Sequence, residues 1–337
     1  VKKRIVRTEM KKWLAAWMLL IVVMTGAVAG EEKGKIRLGY WTSGVSLPFG
    51  CVLEAKKFLE KNGVDVEYVR FSDPPSSLKA LTTGDIDIAF GIPLSNFFSV
   101  VHDGVPLKLV AAVQLADAVV VVPEDSSVRT WQDLKGKKVG GTYPSATIVI
   151  IANTIAERKY GLEPGDYSIV SGNESRLAQF IAQKQIDASI LRSITYENLK
   201  NKVKLRKLGA LKDEWKSISG SSAAPYIGMG VAREEFINKY PGLVSSAVRS
   251  WIQVEKWGIA HRKDVTDILE KHAGFTPENA DNVAARWGDM YHVALDRATL
   301  KTLATEHDVF VQAGVIGGTF GKNLYVTEPY RKAVGTR

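Results

Sequence analysis

Several short stretches of this sequence put hydrogen-bonding or charged side chains where an apolar run ends and a helical pattern begins. The richest is Gly141-Thr142-Tyr143-Pro144-Ser145-Ala146-Thr147. Thr142, Ser145 and Thr147 supply hydroxyls, and Pro144 suits a first helical turn. Exposed amide N–H groups at such a start, that of Ala146 among them, attract an anion without a full opposing charge. The alternative is an ordinary capped helix start. Trp41-Thr42-Ser43-Gly44 offers two hydroxyls, flexible backbone and an indole that could wall an apolar part of a ligand. Against this, Ser43 or Ser46 could simply cap the next helix. Ser95 and Asn96 carry the same two readings. Gln114 ends a further apolar run, and Asn173 opens another helical pattern. Arg192 follows the run Ile186–Leu191, where its guanidinium could pair with a sulfonate or carboxylate, or lie on the surface. Asp73 is expected as a turn or cap residue.

The chemistry these residues suggest is binding, not catalysis. There is no nucleophile elbow, no phosphate-binding P-loop and no HExxH zinc motif. The single cysteine, Cys51, rules out an intrachain disulfide and cysteine-based zinc or iron–sulfur sites. It is expected as a small apolar core residue. The five histidines fall mostly in or near helical stretches. The glycine-rich Gly314–Gly321 follows a helix and lacks the strand–turn–helix setting of a dinucleotide site. No enzyme activity, cofactor or metal is expected.

These loops need elements to hold them. Strand patterns at Ile36–Tyr40, Val64–Phe71, Ile86–Phe90 and Leu107–Val113 alternate with helical patterns at Pro48–Asn62, Pro75–Thr83 and Leu94–His102. The rhythm predicts a parallel sheet covered by helices. A second unit begins at Ala118–Val122. It has further strands at Lys137–Gly140, Tyr167–Val170, Ile186–Leu191 and Val203–Leu208, and helices at Ser145–Lys159 and Glu174–Gln183. Ser217–Ala224 reads as a loop and Tyr226–Val231 as a strand. Helical stretches near 233–239, 241–261, 264–273, 276–287 and 296–313 form a tail with little sheet of its own. Trp251, Trp257 and Trp287 are expected in its core. In open α/β sheets a ligand sits beyond the carboxyl ends of the strands, which is where the polar loops fall.

With 337 residues and a formal charge of +9, the chain at first suggests a nucleic-acid or anionic-membrane partner. Its first residues change that. Lys2, Lys3, Arg4, Arg7, Lys11 and Lys12 precede the apolar run Trp13–Met24, and Ala27-Val28-Ala29 supplies a small–x–small site. The run is shorter than the roughly 20 residues of a spanning helix. Residues 1–29 therefore read as an export signal, with an uncleaved anchor as the alternative. Removing them leaves an excess of +4, with no run of five basic residues. A nucleic-acid partner is not expected.

Five ordered segments resemble the solute-binding proteins of ABC importers, in the nitrate/sulfonate/taurine group with its thiamine-precursor relatives. They are Ile36–Trp41; Leu78–Ala89; Asp125–Val128 followed by Asp133–Gly140; Ile186-Asp187-Ala188; and Val231–Phe236 with Tyr240-Pro241. The resemblance implies a type II periplasmic-binding-protein fold, α/β, with two lobes, a ligand cleft and the helical tail packed on lobe 1. It implies a discontinuous lobe 1 (36–118 plus 225–325) and a lobe 2 at 119–224. It also implies a periplasmic or extracytoplasmic monomer that captures a small, anionic solute and delivers it to an ABC permease and its ATPase. The membrane enters only through that permease or an uncleaved anchor. The 141–147 loop matches the family's ligand-meeting loop, whereas Arg192 departs from the apolar or aromatic residues common there. A pyrimidine-precursor enzyme or a sensory module on the same fold are the alternatives.

Overall fold

The computed structural model describes residues 34–200 and 202–335. The export segment read in residues 1–29 lies outside them. Residues from Gly34 onward form one compact unit built on two sheets.

The first sheet contains β1 (Lys35–Trp41), β2 (Asp65–Phe71), β3 (Ile88–Pro93) and β4 (Leu107–Leu115), with β10 (Tyr226–Arg233) and β11 (Tyr291–Ala294). Its order is β11-β4-β10-β3-β1-β2. The second contains β5 (Ala118–Pro123), β6 (Lys138–Gly141), β7 (Ser168–Ser171), β8 (Ala188–Arg192) and β9 (Leu205–Ala210), in the order β7-β6-β8-β5-β9. The expected parallel sheet holds for β2-β1-β3 and for β7-β6-β8. It fails at β10, antiparallel to β3 and β4, and at β5, antiparallel to β8 and β9. Where the chain passes between sheets, Ala116 N–H donates to Pro225 C=O at 2.8 Å. β4 therefore leaves the first sheet beside the point where β10 enters it, so the two run in opposite senses.

The longer helices are α1 (Ser46–Ala55), α2 (Pro74–Thr83), α3 (Leu94–His102), α4 (Thr147–Tyr160), α5 (Glu174–Ala182), α6 (Ser193–Lys200), α7 (Leu211–Ser219), α8 (Pro241–Ala260), α9 (Arg262–Ala273), α10 (Pro277–Ala285) and α11 (Arg297–Gln312). Asp73 does cap α2, accepting from Ser76 N–H at 2.8 Å. The single helix expected over Pro48–Asn62 is broken: Lys57 takes φ +52, and a short helical turn, Phe58–Lys61, follows. Apolar spacing continues through the break, so periodicity could not show it. The loop expected at Ser217–Ala224 begins only after α7, whose Leu211 and Trp215, one turn apart, are both buried. Helix α6 and strand β11 are further elements the pattern did not reveal.

The tail covers the first sheet. Trp251 on α8 is fully buried, with its ring 6.0 Å from that of Phe90 on β3. Trp287 is likewise buried and lies 6.3 Å from Phe49 of α1, nearly parallel to it. Trp257 is only partly buried and stacks on His261. Helix α11 packs on both α3 and α4, so the last long helix also reaches the second lobe. Cys51 sits buried in α1, and burial pushes its thiol up to about 11.

Candidate functional site

The carboxyl ends of β1, β3 and β4 meet in a buried polar floor. Trp41, the last residue of β1, donates its indole N–H to Gly91 C=O at 3.1 Å. Gln114 on β4 donates to Ser46 Oγ at 2.7 Å. Gly91 has φ +78, and a Cβ there would lie 2.1 Å from Ser46 Oγ and 2.9 Å from Trp41 Nε1. Only glycine lets the three strands' ends converge this closely. Tyr291, opposite Gln114 in the β11–β4 pairing, donates its hydroxyl to Val45 C=O at 2.6 Å and so fixes the start of α1.

This floor assigns several sequence candidates. Gln114 and Trp41 are held by main chain and by Ser46, so they shape the floor. Thr42 donates its hydroxyl to Phe71 C=O at 3.1 Å. Neither Ser43 nor Ser46 caps α1, which begins after Val45 without a side-chain cap; Ser43 is exposed. Helix α3 is also uncapped: Ser95 is buried and donates to Asn96 Oδ1 at 3.3 Å, while Asn96 is exposed.

From the second lobe, Arg192 ends β8 and points back at this region. A Cβ on Gly44, which has φ +54, would lie 2.8 Å from Arg192 Nη1 and 2.6 Å from the Trp41 ring. Arg192 Nε stands 3.3 Å from Glu174 Oε1, and Thr195 donates its hydroxyl to Glu174 Oε2. Glu174 opens α5 directly after Asn173, whose side chain caps that helix by accepting from Arg176 N–H at 2.9 Å. Asn173 is therefore a cap, and its neighbour is the residue aimed inward. Gly44, Pro48, Glu174, Arg192, Thr195 and Phe275 line a cavity of about 360 Å³ drawn from both lobes and the tail.

The 141–147 loop lies elsewhere. Helix α4 starts after Ala146 with no side-chain cap, so the capped start is not what forms; Thr142 and Thr147 are half-buried. Exposed Ser145 lines a different cavity of about 480 Å³, beside Asn153, Tyr167, Val309 and Gln312. The structure brings Trp41, Gly44 and Arg192 together, and Ser145 does not line the cavity that Gly44 and Arg192 share.

Sequence reasoning missed two charged groups. Glu174 was one residue from a candidate, and the strand-end rule that selected Asn173 also covers it. The other is the cluster on the crossing segment. Buried Asp117 accepts from Ser193 Oγ at 2.7 Å and from Arg286 Nη2 at 2.7 and 2.8 Å. Nothing local in the sequence signals a partner 169 positions away.

Comparison with known proteins supports a solute-binding role. The family described as NMT1/THI5 like matches residues 51–251. A Brucella abortus protein described as a binding protein is 24% identical over 278 residues, covering 82% of this chain and 83% of its own. The taurine-binding periplasmic protein of Escherichia coli is 22% identical over 228 residues, 67% of this chain and 65% of its own. The crystal structure of the periplasmic aliphatic sulphonate binding protein SsuA from Escherichia coli superposes with a TM-score of 0.67 at 18% identity, covering 84% of this chain and 88% of that one. The fold also carries catalysis: the desulfurization enzyme DSZB superposes with a TM-score of 0.63 at 13% identity, covering 90% of this chain and 99% of that one.

Proposed function

The chain belongs to the NMT1/THI5-like family, and from that premise we propose that it is the extracytoplasmic solute-binding component of an ABC importer. It captures a small solute bearing a sulfonate, carboxylate or similar anion between two lobes, 36–118 plus 225–325 and 119–224, and hands it to the membrane permease. The observation that carries this reading is the Arg192 guanidinium, which extends from the end of β8 to the Gly44 loop at the end of β1. A cationic fork between two lobes gives an anion a reason to hold them together. Export through residues 1–29 and action as a monomer outside the cytoplasm belong to the same proposal.

The likeness to DSZB favours a second reading, an enzyme on this fold. Burial pushes the protein's one thiol, Cys51, up to about 11, which disfavours a thiolate-based reaction; other chemistries are separated by the turnover assay below.

Thermal-shift screening of the mature protein with alkanesulfonates, nitrate, carboxylates and pyrimidines tests the proposal. A ligand of the native state should raise the melting temperature with concentration as mass action requires. Turnover of a sulfonate or sulfinate would move the assignment to the enzyme reading, and no stabilisation by any class would end the proposal.

A further inference from the structure

We infer that residues 200–207 form a basic ridge that holds this protein against an anionic phospholipid surface. The inference goes beyond solute capture and does not depend on which solute is bound.

The charge of the chain is unevenly placed. Residues 119–224 hold 16 Lys+Arg against 11 Asp+Glu, whereas residues 30–118 and 225–337 together hold 23 against 24. One lobe therefore carries the excess that remains after the export segment. Within it, Lys200, Lys202, Lys204, Arg206 and Lys207 put five bases into eight positions with no acid among them. Lys200 ends α6, and Lys202 and Val203 donate their N–H groups to Leu199 C=O at 2.8 Å, which turns the chain toward β9. Strand β9 pairs with β5 and is the edge of the second sheet, so the bases lie along an outer rim.

Their side chains divide by type. Lys200, Lys202, Lys204 and Lys207 are exposed. Lys200 and Lys207 share the Glu197 carboxylate, the latter at 3.6 Å, which keeps their ammonium groups close together. Lys202 and Lys204 make no ion pair among the described residues. Lys204 borders a groove that Glu124, Asp125 and Lys184 also line, where Asp125 pairs with Lys184 at 2.6 Å. Six bases against three acids leave the rim with an excess of +3. Arg206 is half-buried, and its Nη2 donates inward to Val128 C=O at 2.5 Å.

These types select the partner. Protein interfaces are enriched in forked guanidinium groups and aromatic rings and depleted in lysine. This rim offers the reverse: flexible point charges, a guanidinium already spent on main chain, and a half-buried Tyr196 ring 4.6 Å beneath the Lys207 ammonium. An anionic bilayer asks for no fixed geometry. It favours each lysine held near its surface by roughly fivefold in binding, over about one Debye length. Lysine on an edge strand also deters pairing between chains. Here, however, the charges extend beyond the strand to the turn and the end of α6. On the reading above, an exported protein meets such a surface at the outer face of the membrane. Weak attraction keeps it beside the permease while leaving it free to diffuse.

Vesicle flotation of the mature protein, which lacks the apolar run Trp13–Met24, tests this. In low salt, wild type should partition at least about tenfold more onto equal parts phosphatidylglycerol and phosphatidylcholine than onto phosphatidylcholine alone. It should be released at about 1 M salt, where the Debye length is about 3 Å. Replacing all four lysines (Lys200→Gln, Lys202→Gln, Lys204→Gln and Lys207→Gln) should leave a preference of about threefold or less. Lys202→Gln/Lys204→Gln breaks no ion pair, so it serves if the larger change impairs folding, and should weaken partition by about fivefold or more. Removing four exposed lysines elsewhere (Lys61→Gln, Lys79→Gln, Lys256→Gln and Lys271→Gln) should keep the preference within about twofold of wild type. Equal partition of wild type onto both vesicles overturns the proposal, and so does an equal loss in the control variant. A preference that persists in both ridge variants overturns it too, and their self-association without lipid would then mark the lysines as guards of the strand edge.

Discussion

Arg192 and Glu174 face each other at 3.3 Å without a hydrogen bond between them, in the lining of a cavity walled by both lobes. Strand β8 delivers the first and the start of α5 the second, and the Gly44 loop closes over the guanidinium from the other lobe.

Gly44 should be intolerant of a side chain. Its φ of +54 disfavours an L-residue by about 1–2 kcal/mol. A Cβ would also press on the Trp41 ring, which its indole bond to Gly91 holds in place. Gly44→Val is expected to weaken solute binding by at least about tenfold in a calorimetric titration. Undiminished affinity would show that the loop does not meet the solute.

The legible parts of the fold were those written in local pattern. Gly84, at φ +82, ends α2 where the apolar spacing stops, and Ile88–Pro93 follows as a strand. The ends of strands then pointed to Trp41 and Arg192, and the structure does bring them to one place. What was not legible depends on partners far apart in sequence. Gln114 and Ser46 share a hydrogen bond across 68 positions, and Asp117 with Arg286 across 169. Ser145 was a candidate because a polar loop precedes a helix, but the packing of α11 on α4 puts it beside Val309 and Gln312. The antiparallel entry of β10 was equally hidden, since periodicity fixes a strand's faces and not its direction.

The crossing segment should be sensitive to loss of one charge and less so to loss of both. Asp117→Ala leaves Arg286, whose side chain is 18% exposed, with Asp289 at 3.3 Å and the more distant Glu197, and is expected to cost about 1.5–3 kcal/mol in urea unfolding. The Asp117→Leu/Arg286→Met double variant should recover a large part of that loss. A double variant no more stable than Asp117→Ala would contradict this account of the pair.

Two histidines should give opposite pH dependences. His307 is fully buried, with Nε2 2.8 Å from His102 Nε2, and burial followed by the neighbouring His102 lowers its pKa. The unfolded chain then takes up the proton first. Its contribution is full above about pH 6.5 and falls as pH drops through the lowered value. His292 is raised, chiefly by its hydrogen bond to Glu255 at 3.0 Å, against the effect of burial. Its contribution is full below about pH 6.5 and is lost as pH rises through the raised value. Unfolding midpoints measured from about pH 5 to 8 should flatten on the acid side in His307→Phe and on the basic side in His292→Asn. Curves of unchanged shape would show that neither site titrates as described.

Gly258 lies on α8 where Trp287 packs. A Cβ there would come within 2.1 Å of Trp287 Nε1, whose N–H donates to Val254 C=O at 3.3 Å. Gly258→Ala gains about 1 kcal/mol of helix propensity but overpacks the core by about 1–3 kcal/mol. A lowered melting temperature is expected, and a raised one would mean that the tryptophan has room to move.

The most direct test of solute capture is a crystal structure of the mature protein grown with a saturating alkanesulfonate that stabilises it. The account predicts the sulfonate within hydrogen-bond distance of the Arg192 Nη groups, enclosed between the Gly44 loop and the start of α5. A sulfonate bound instead in the Ser145 cavity, or found nowhere between the lobes, would contradict it.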